Sequence, residues 1–291
     1  MPSTKEIRIR IKSVKSTRQI TKAMEMVSAA KMRKAQMQTL ATRSYARYAW
    51  ELVQNLTAGS DARIHKLLRQ PDKISKVLMV VMTSNRGLIA GFNSNIIQTA
   101  LNFAGKYPGI EVVTLGKKGR DALRKAGLSI VADFEKKDVA SEITAVSSLA
   151  SLIIEDFLAG KYDKVVLIYM DYVSTLVQKP HVLELLPLAK QDLTLGNEIA
   201  LQKASQTEYI FEPTAEHVLE HVLPKLTMMQ IYQALLETNA AEHSARMVAM
   251  KNATDAAGDI VSELTLQYNQ LRQSKITTEL SEITAGRIAL E

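Results

Sequence analysis

The 291-residue sequence contains no cysteine. That removes disulfides, thiolate metal ligands and a cysteine nucleophile together. Aromatic residues make up only 5%, within an apolar share of 46% filled largely by Ala, Met and Leu. A chain poor in rings and rich in Ala, Met, Glu, Lys and Arg leans helical. No glycine precedes Gly59 and no proline lies between Pro2 and Pro71, so the first segment carries no helix breaker. No run of about 18 apolar residues occurs, so no transmembrane helix is expected. The first ten residues lack an apolar h-region, which argues against a secretory signal, and Glu6 argues against a transit peptide. A charged fraction of 23% beside that apolar share excludes wholesale disorder.

What is present is unevenly placed. Residues 1–55 carry 12 basic and 3 acidic residues, and residues 208–291 carry 6 and 12. The middle, 56–207, holds 19 and 15, and the whole chain is +7. A basic head and an acidic tail suit two mutually attracting helices, and the head suits an acidic partner.

The head reads as one helix from Thr4 to Thr57, roughly 80 Å at about 1.5 Å per residue. Ser3 or Thr4 is the candidate N-cap, with Glu6 near the capping-box position. A 3,4 spacing joins Ile20, Ala23, Val27, Ala30, Met37, Ala41, Ser44 and Tyr48, with Lys34 interrupting, a seam of mostly small residues. Ile7, Ile11 and Val14 extend an apolar stripe toward the N-terminus. In the tail, the same spacing lands on Leu226, Met229, Gln233, Leu236, Ala240, His243, Met247, Met250, Thr254, Ala257, Val261, Leu264, Tyr268 and Leu271. Pro213 is expected at a helix start, Pro224 at a kink or second start, and Gly286 at the C-cap.

Two end helices can pair antiparallel only if the middle folds as an insertion. Strands are expected at 76–83, 111–115, 128–132, 164–172 and 177–186, and helices at 93–104, 117–125 and 141–158. That alternation gives a mostly parallel sheet. The expected class is α/β plus coiled coil: long antiparallel N- and C-terminal helices with an inserted Rossmann-like α/β domain. The parts are 1–57, 58–207 and 208–291.

The search for chemistry is empty. The turn at 84–93 lacks the Gly-Lys-Ser/Thr of a phosphate loop and the third glycine of a dinucleotide loop. It reads as a tight turn with Asn93 capping the next helix. His217 and His221 share a helix face, but Val218 stands where a zincin needs glutamate. They read as surface histidines. No Gly-x-Ser-x-Gly motif occurs, and Glu155-Asp156 and the pair Glu279 and Glu282 read as solvated faces. A basic coiled-coil adaptor for nucleic acid is the alternative reading, weakened by interleaved apolar residues and by the lack of stacking aromatics before Tyr45.

The run ITKAMEMVSAAKMRK at 20–34 closely resembles the gamma subunit of rotary F-type ATP synthases. So do ARMVAMKNATD at 245–255 and YNQLRQSKITTEL at 268–280. The turn at 85–88 and the segment 209–213 also fit, in colinear order along the chain. The resemblance implies a rotor shaft inside a ring of alpha and beta subunits, with epsilon and a membrane ring of c subunits as further partners. It implies one copy per complex, no nucleic acid, no cofactor, no metal and no catalytic residue, since beta holds the catalytic sites. The setting it implies is peripheral, on the cytoplasmic face of a bacterial plasma membrane, with proton flow driving the ring.

By resemblance, Met24 and Arg246 stand near an acidic lever loop of beta. Arg272, Gln273 and Thr277 engage a catch loop, with Glu279 and Glu282 beside them. Leu280, Ile283 and Ile288 form an apolar tip. Tyr209, Phe211 and Glu212 form a foot on the c ring, with Phe211 where a tyrosine is often seen. The absence of cysteine removes the thiol switch of some chloroplast forms.

Overall fold

The computed structural model describes residues 3–59, 65–69, 71, 73–138, 142–188 and 214–288, with the side chains of 43–59, 215, 216, 286 and 288 left aside. Its elements are α1 (Thr4–Gly59), β1 (Val77–Met82), α2 (Phe92–Ala104), β2 (Ile110–Leu115), α3 (Lys117–Lys125), β3 (Ile130–Phe134), α4 (Ser147–Leu158), β4 (Lys164–Tyr172), β5 (Gln178–Leu186) and α5 (Ala215–Ile288). The chain divides into two compact units. One joins residues 1–28 to 247–291; the other spans 29–246.

The larger unit holds a five-stranded sheet in the order β3-β2-β1-β4-β5. The first four strands run parallel and β5 pairs antiparallel with β4 at the edge. Alternation decides which face each side chain fills. Leu78, Val80 and Met82 face a core with Leu149, Ile153 and Phe157 of α4 and Leu223, Leu226 and Leu235 of α5. Val77, Met79 and Val81 face the core lined by Phe92, Ile96 and Ala100 of α2 and Leu123 of α3. A strand buried on both faces reads as a continuous apolar run, as β1 does.

Local chemistry moves some boundaries. At φ +81°, Gly127 ends α3, and the amide of Leu128 bonds back to the carbonyl of Leu123. This αL closure takes residue 128 out of the strand, so β3 begins at Ile130. The expected helix at 141–158 is a 3₁₀ turn over Ile143–Val146 followed by α4. Pro224 neither starts nor breaks a helix; it lies inside α5. Its lost hydrogen bond is outweighed by burial of Leu219, Leu223 and Leu226 around it. Gly286 is not a C-cap, because α5 runs two residues past it. Pro213 lies outside the described residues.

In the smaller unit α1 starts at a reciprocal capping box. The amide of Ser3 donates to Glu6 Oε2 at 3.0 Å, and that of Glu6 to Ser3 Oγ at 3.3 Å. The helices run antiparallel: the hydroxyls of Thr21 and Thr254 meet at 2.8 Å, and Arg18 packs at Gly258. Heptad steps from these contacts put Val14 level with Val261 and Ile7 level with Tyr268.

The tail seam lies where its spacing places it. Met250, Thr254 and Ala257 are buried, and Val261, Leu264, Tyr268 and Leu271 are half-buried. The head seam does not. Ile20, Val27 and Met37 are 58%, 55% and 64% exposed. The inward positions of α1 are Ile7, Ile11, Val14, Thr21 and Ser28 in the smaller unit and Met32, Ala35 and Thr39 in the larger. Ala23, Ala30 and Ala41 are exposed too, while the side chains of Ser44 and Tyr48 lie outside those described. The inward stripe carries hydroxyls and small residues, so apolar spacing alone selected the opposite face.

Candidate functional site

Loops at the C-terminal edge of a parallel sheet are where doubly wound folds bind ligands. Here that edge holds this chain's own helices. After β1, Ser84 closes the turn: its hydroxyl donates to the Arg86 carbonyl at 2.6 Å, and its amide to Asn93 Oδ1 at 3.2 Å. Asn93 therefore ties the turn to the strand end. It is not a helix cap; Gly91 holds that position without a side-chain bond. Leu88 and Ala90 adopt positive φ of 63° and 48°, a backbone cost that side chains rarely bear. Asn85 bridges two loops, donating to the Lys136 carbonyl at 2.7 Å and accepting from the Lys117 amide at 3.2 Å.

The loop after β3 meets both long helices. Lys136, with a side chain 0% exposed, ion-pairs with Glu242 and donates to Asn239 Oδ1 at 2.6 Å. Asn239 donates to the Lys137 carbonyl at 3.3 Å. Lys31 of α1 pairs with Asp138 at 3.1 Å. His243 Nε2 lies 3.0 Å from the Asp138 carbonyl and its Nδ1 3.5 Å from Arg246 Nη1. A carbonyl accepts and a guanidinium donates, so this imidazole carries its proton on Nε2. Burial would raise the Glu242 carboxyl, but Lys136 and then Arg246 outweigh it and hold it below its ordinary value. Asp138 is likewise lowered, its desolvation outweighed by Lys31. His243 is lowered first by burial and stays neutral.

The hairpin between β4 and β5 makes a second grip. Gln36 of α1 donates to the Tyr172 hydroxyl at 2.7 Å, and Ser244 of α5 to the Thr175 carbonyl at 2.7 Å.

The residues expected to meet partners fall into distinct settings. Met24 is half-buried in the smaller unit, its carbonyl accepting from Ser28 Oγ at 2.7 Å. Arg246, in the larger unit, is already engaged: Nη2 donates to Glu242 Oε1 at 2.8 Å. Arg272, Gln273, Thr277, Glu279 and Glu282 all lie on the exposed stretch of α5 beyond Leu271. Thr277 Oγ1 donates to the Gln273 carbonyl at 3.0 Å, and Glu279 pairs with Lys275 at 3.6 Å. Leu280 and Ile283 beside them are 59% and 70% exposed. Tyr209, Phe211 and Glu212 lie outside the described residues, as does the side chain of Ile288.

His217 and His221 are surface residues with rings 4.5 Å apart. Among the described residues no cluster of His, Asp and Glu could hold a metal ion, and no helix is long and apolar enough to cross a membrane. Sequence reasoning missed Lys136, Asp138 and Glu242. A signal existed for Glu242: from 226 to 245 the tail helix contains no Lys or Arg, so Arg246 at i+4 is its one cation on its own helix.

The sequence model of the family described as ATP synthase matches residues 3–290. The ATP synthase gamma chain of Pelotomaculum thermopropionicum is 44% identical over 294 residues, covering 100% of both chains. That of Chloroflexus aurantiacus is 42% identical over 296 residues, covering 100% of this chain and 99% of the other. The chain belongs to the ATP synthase gamma family. Gamma is not the catalytic subunit of that enzyme, in agreement with the empty search for catalytic residues. The nucleic-acid adaptor reading finds no support in these matches. Among solved structures, a chain of the Euglena gracilis mitochondrial ATP synthase OSCP/F1/c-ring assembly in rotational state 3 superposes with TM-score 0.71 at 21% identity, covering 99% of this chain and 94% of that one. The central stalk and c-ring structure of the Tetrahymena thermophila mitochondrial enzyme gives 0.60 at 24%, covering 80% of this chain and 99% of that one. At these identities the likeness shows the fold, long terminal helices with a central α/β sheet domain.

Proposed function

We propose that this chain is the central-stalk rotor of a proton-translocating F-type ATP synthase, coupling ion flow through a membrane c ring to ATP synthesis at beta-subunit sites. One observation carries this reading. The helix α5 continues past the level at which α1 begins and exposes Ile276, Leu280 and Ile283 there. A single helix turn with apolar side chains in water is costly; inside a collar of other subunits it is a bearing. Two paired helices have no threefold symmetry, so three identical beta subunits meet three different faces. Each is biased toward a different nucleotide affinity, and rotation moves every site through the set.

In this reading residues 1–57 and 208–291 form the shaft and 58–207 the inserted domain. Met24 and Arg246 meet beta's acidic lever, and Arg272, Gln273, Thr277, Glu279 and Glu282 meet the collar. Tyr209, Phe211 and Glu212 rest on the c ring. One copy serves each complex, with alpha, beta and epsilon as neighbours, at the cytoplasmic face of a bacterial plasma membrane.

The test is an affinity pull-down of the tagged chain from native membranes, with mass spectrometry and ATPase assay. Recovery of alpha, beta and epsilon with activity supports the proposal. Recovery of nucleic acid without those subunits, or ATP turnover by the isolated chain, overturns it.

A further inference from the structure

We infer that the loop at 136–138, bolted to both long helices, is the joint that locks the α/β domain to the shaft, so that torque entering at the proposed foot, in the chain between β5 and α5, turns both together, and that Lys136 is its central positioning residue. The inference rests on the rotor reading above and concerns contacts within the larger unit alone. Every residue of the loop is tied. Lys136 reaches Glu242 and Asn239 through its ammonium and Asn85 through its carbonyl. The Lys137 carbonyl accepts from Asn239, and Asp138 binds Lys31 by its carboxylate and His243 by its carbonyl. The loop thus holds α1 at one point and α5 at three, while Asn85 fastens it to the loops after β1 and β2. The hairpin grips the same helices through Gln36 and Ser244. Two grips on two helices can transmit a turning couple; one could act only as a pivot.

The chemistry of the joint argues for this role over simple stability. A buried ion pair contributes little net stability compared with apolar side chains of the same shape. What it supplies is direction. Apolar contact is non-directional and lets packed surfaces slide, whereas charge-assisted hydrogen bonds hold only over short distances and narrow angles. Glu242 is shared between Lys136 and Arg246, so rotation of α5 against the sheet would strand buried charge. Resistance to slip is what a joint under torque needs.

The experiment uses the whole complex reconstituted in vesicles. It compares ATP hydrolysis with an uncoupler present, where the rotor turns unloaded, with the largest proton gradient that ATP can sustain. Lys136→Met is expected to hydrolyse at the wild-type rate when unloaded and to lose most of the sustained gradient, with Lys136→Arg restoring part of it. Asp138→Asn, on the half-exposed leg, is expected to lose less. A full gradient with Lys136→Met overturns the joint while leaving the rotor reading intact. If Lys136→Met fails to assemble, Asp138→Asn decides, and a wild-type gradient there overturns the joint. A wild-type complex that hydrolyses ATP but builds no gradient overturns the rotor reading itself.

Discussion

One helix shows two opposite environments. Within α5 every residue from 231 to 244 is buried, and every residue from 272 to 285 is exposed. The buried stretch is only half apolar: it includes Gln233, Glu237, Thr238, Asn239, Glu242, His243 and Ser244. The exposed stretch includes Ile276, Leu280 and Ile283. Burial here is set by what the fold brings against the helix. In the first stretch the sheet edge, α1 and the β3 loop supply partners for polar side chains. In the second, nothing among the described residues covers the helix. Helix stability drawn from packing and exposed apolar surface are separated along one element.

The comparison breaks most visibly at a core leucine. Leu236, fully buried on the sheet face, should cost about 2–5 kcal/mol as Leu236→Ala, because a cavity adds to the lost transfer energy. Leu280→Ala, the same chemical change on the exposed stretch, should leave the urea midpoint nearly unmoved. Equal shifts would mean that the tip is packed in the free chain and the contrast is false.

A second, smaller effect probes the polar side of the buried stretch. His243 is lowered from its ordinary 6.5, first by burial, with Lys136 and Arg246 acting the same way and Glu242 and the Asp138 carbonyl opposing. As pH falls below 6.5 the unfolded chain takes up a proton that the folded site refuses, so stability declines. The Glu242 carboxyl, held below its ordinary 4.5, keeps its contribution above that value and loses it only in stronger acid. Between 6.5 and 4.5 the slope therefore reports His243 together with His65, which burial also lowers from 6.5. Urea midpoints should fall with pH in this window, and His243→Gln should remove part of the fall, the remainder belonging to His65. An unchanged slope would show that the His243 imidazole is not among the titrating groups.

The helix pair in the smaller unit offers a gentler test. Thr254→Val keeps the shape and removes the hydroxyl that meets Thr21 at 2.8 Å. A loss of about 1 kcal/mol in chemical unfolding is expected for one such bond. No loss would mean that the hydroxyl is inert and that packing alone sets the register.

Much of this was legible in the sequence, for reasons that particular residues show. The strands were readable because Val77–Met82 and the stretch 165–170 are buried on both faces and are continuously apolar. The tail seam was readable because Met250, Ala257, Val261 and Leu264 keep apolar chemistry and heptad spacing together. The head seam misled because its inward positions include Thr21, Ser28 and Thr39, while Ile20, Val27 and Met37 point outward. Apolarity marks whatever surface will be covered, by this chain or by another, and spacing cannot say which. Lys136 was illegible for a different reason. In a stretch reading FEKKD it looks like solvated surface, and only tertiary structure puts Glu242 and Asn239 around its ammonium.

The smallest stability effect belongs to the residues with the largest functional claim. Gln273 is exposed, and its side chain makes no hydrogen bond to another described residue; its carbonyl accepts from Thr277 Oγ1. Gln273→Ala should therefore change unfolding free energy by no more than about 0.5 kcal/mol, the usual range for surface substitutions. In the assembled complex the same change should lower ATP-driven proton pumping, because the proposed collar contact exists only there. Arg246→Ala should also impair pumping, but at a cost in stability, since it releases Glu242 from one of its two cations. The pair separates contact from scaffold. Wild-type pumping with Gln273→Ala would remove that residue from the collar and make the bare stretch of α5 a spacer rather than a grip.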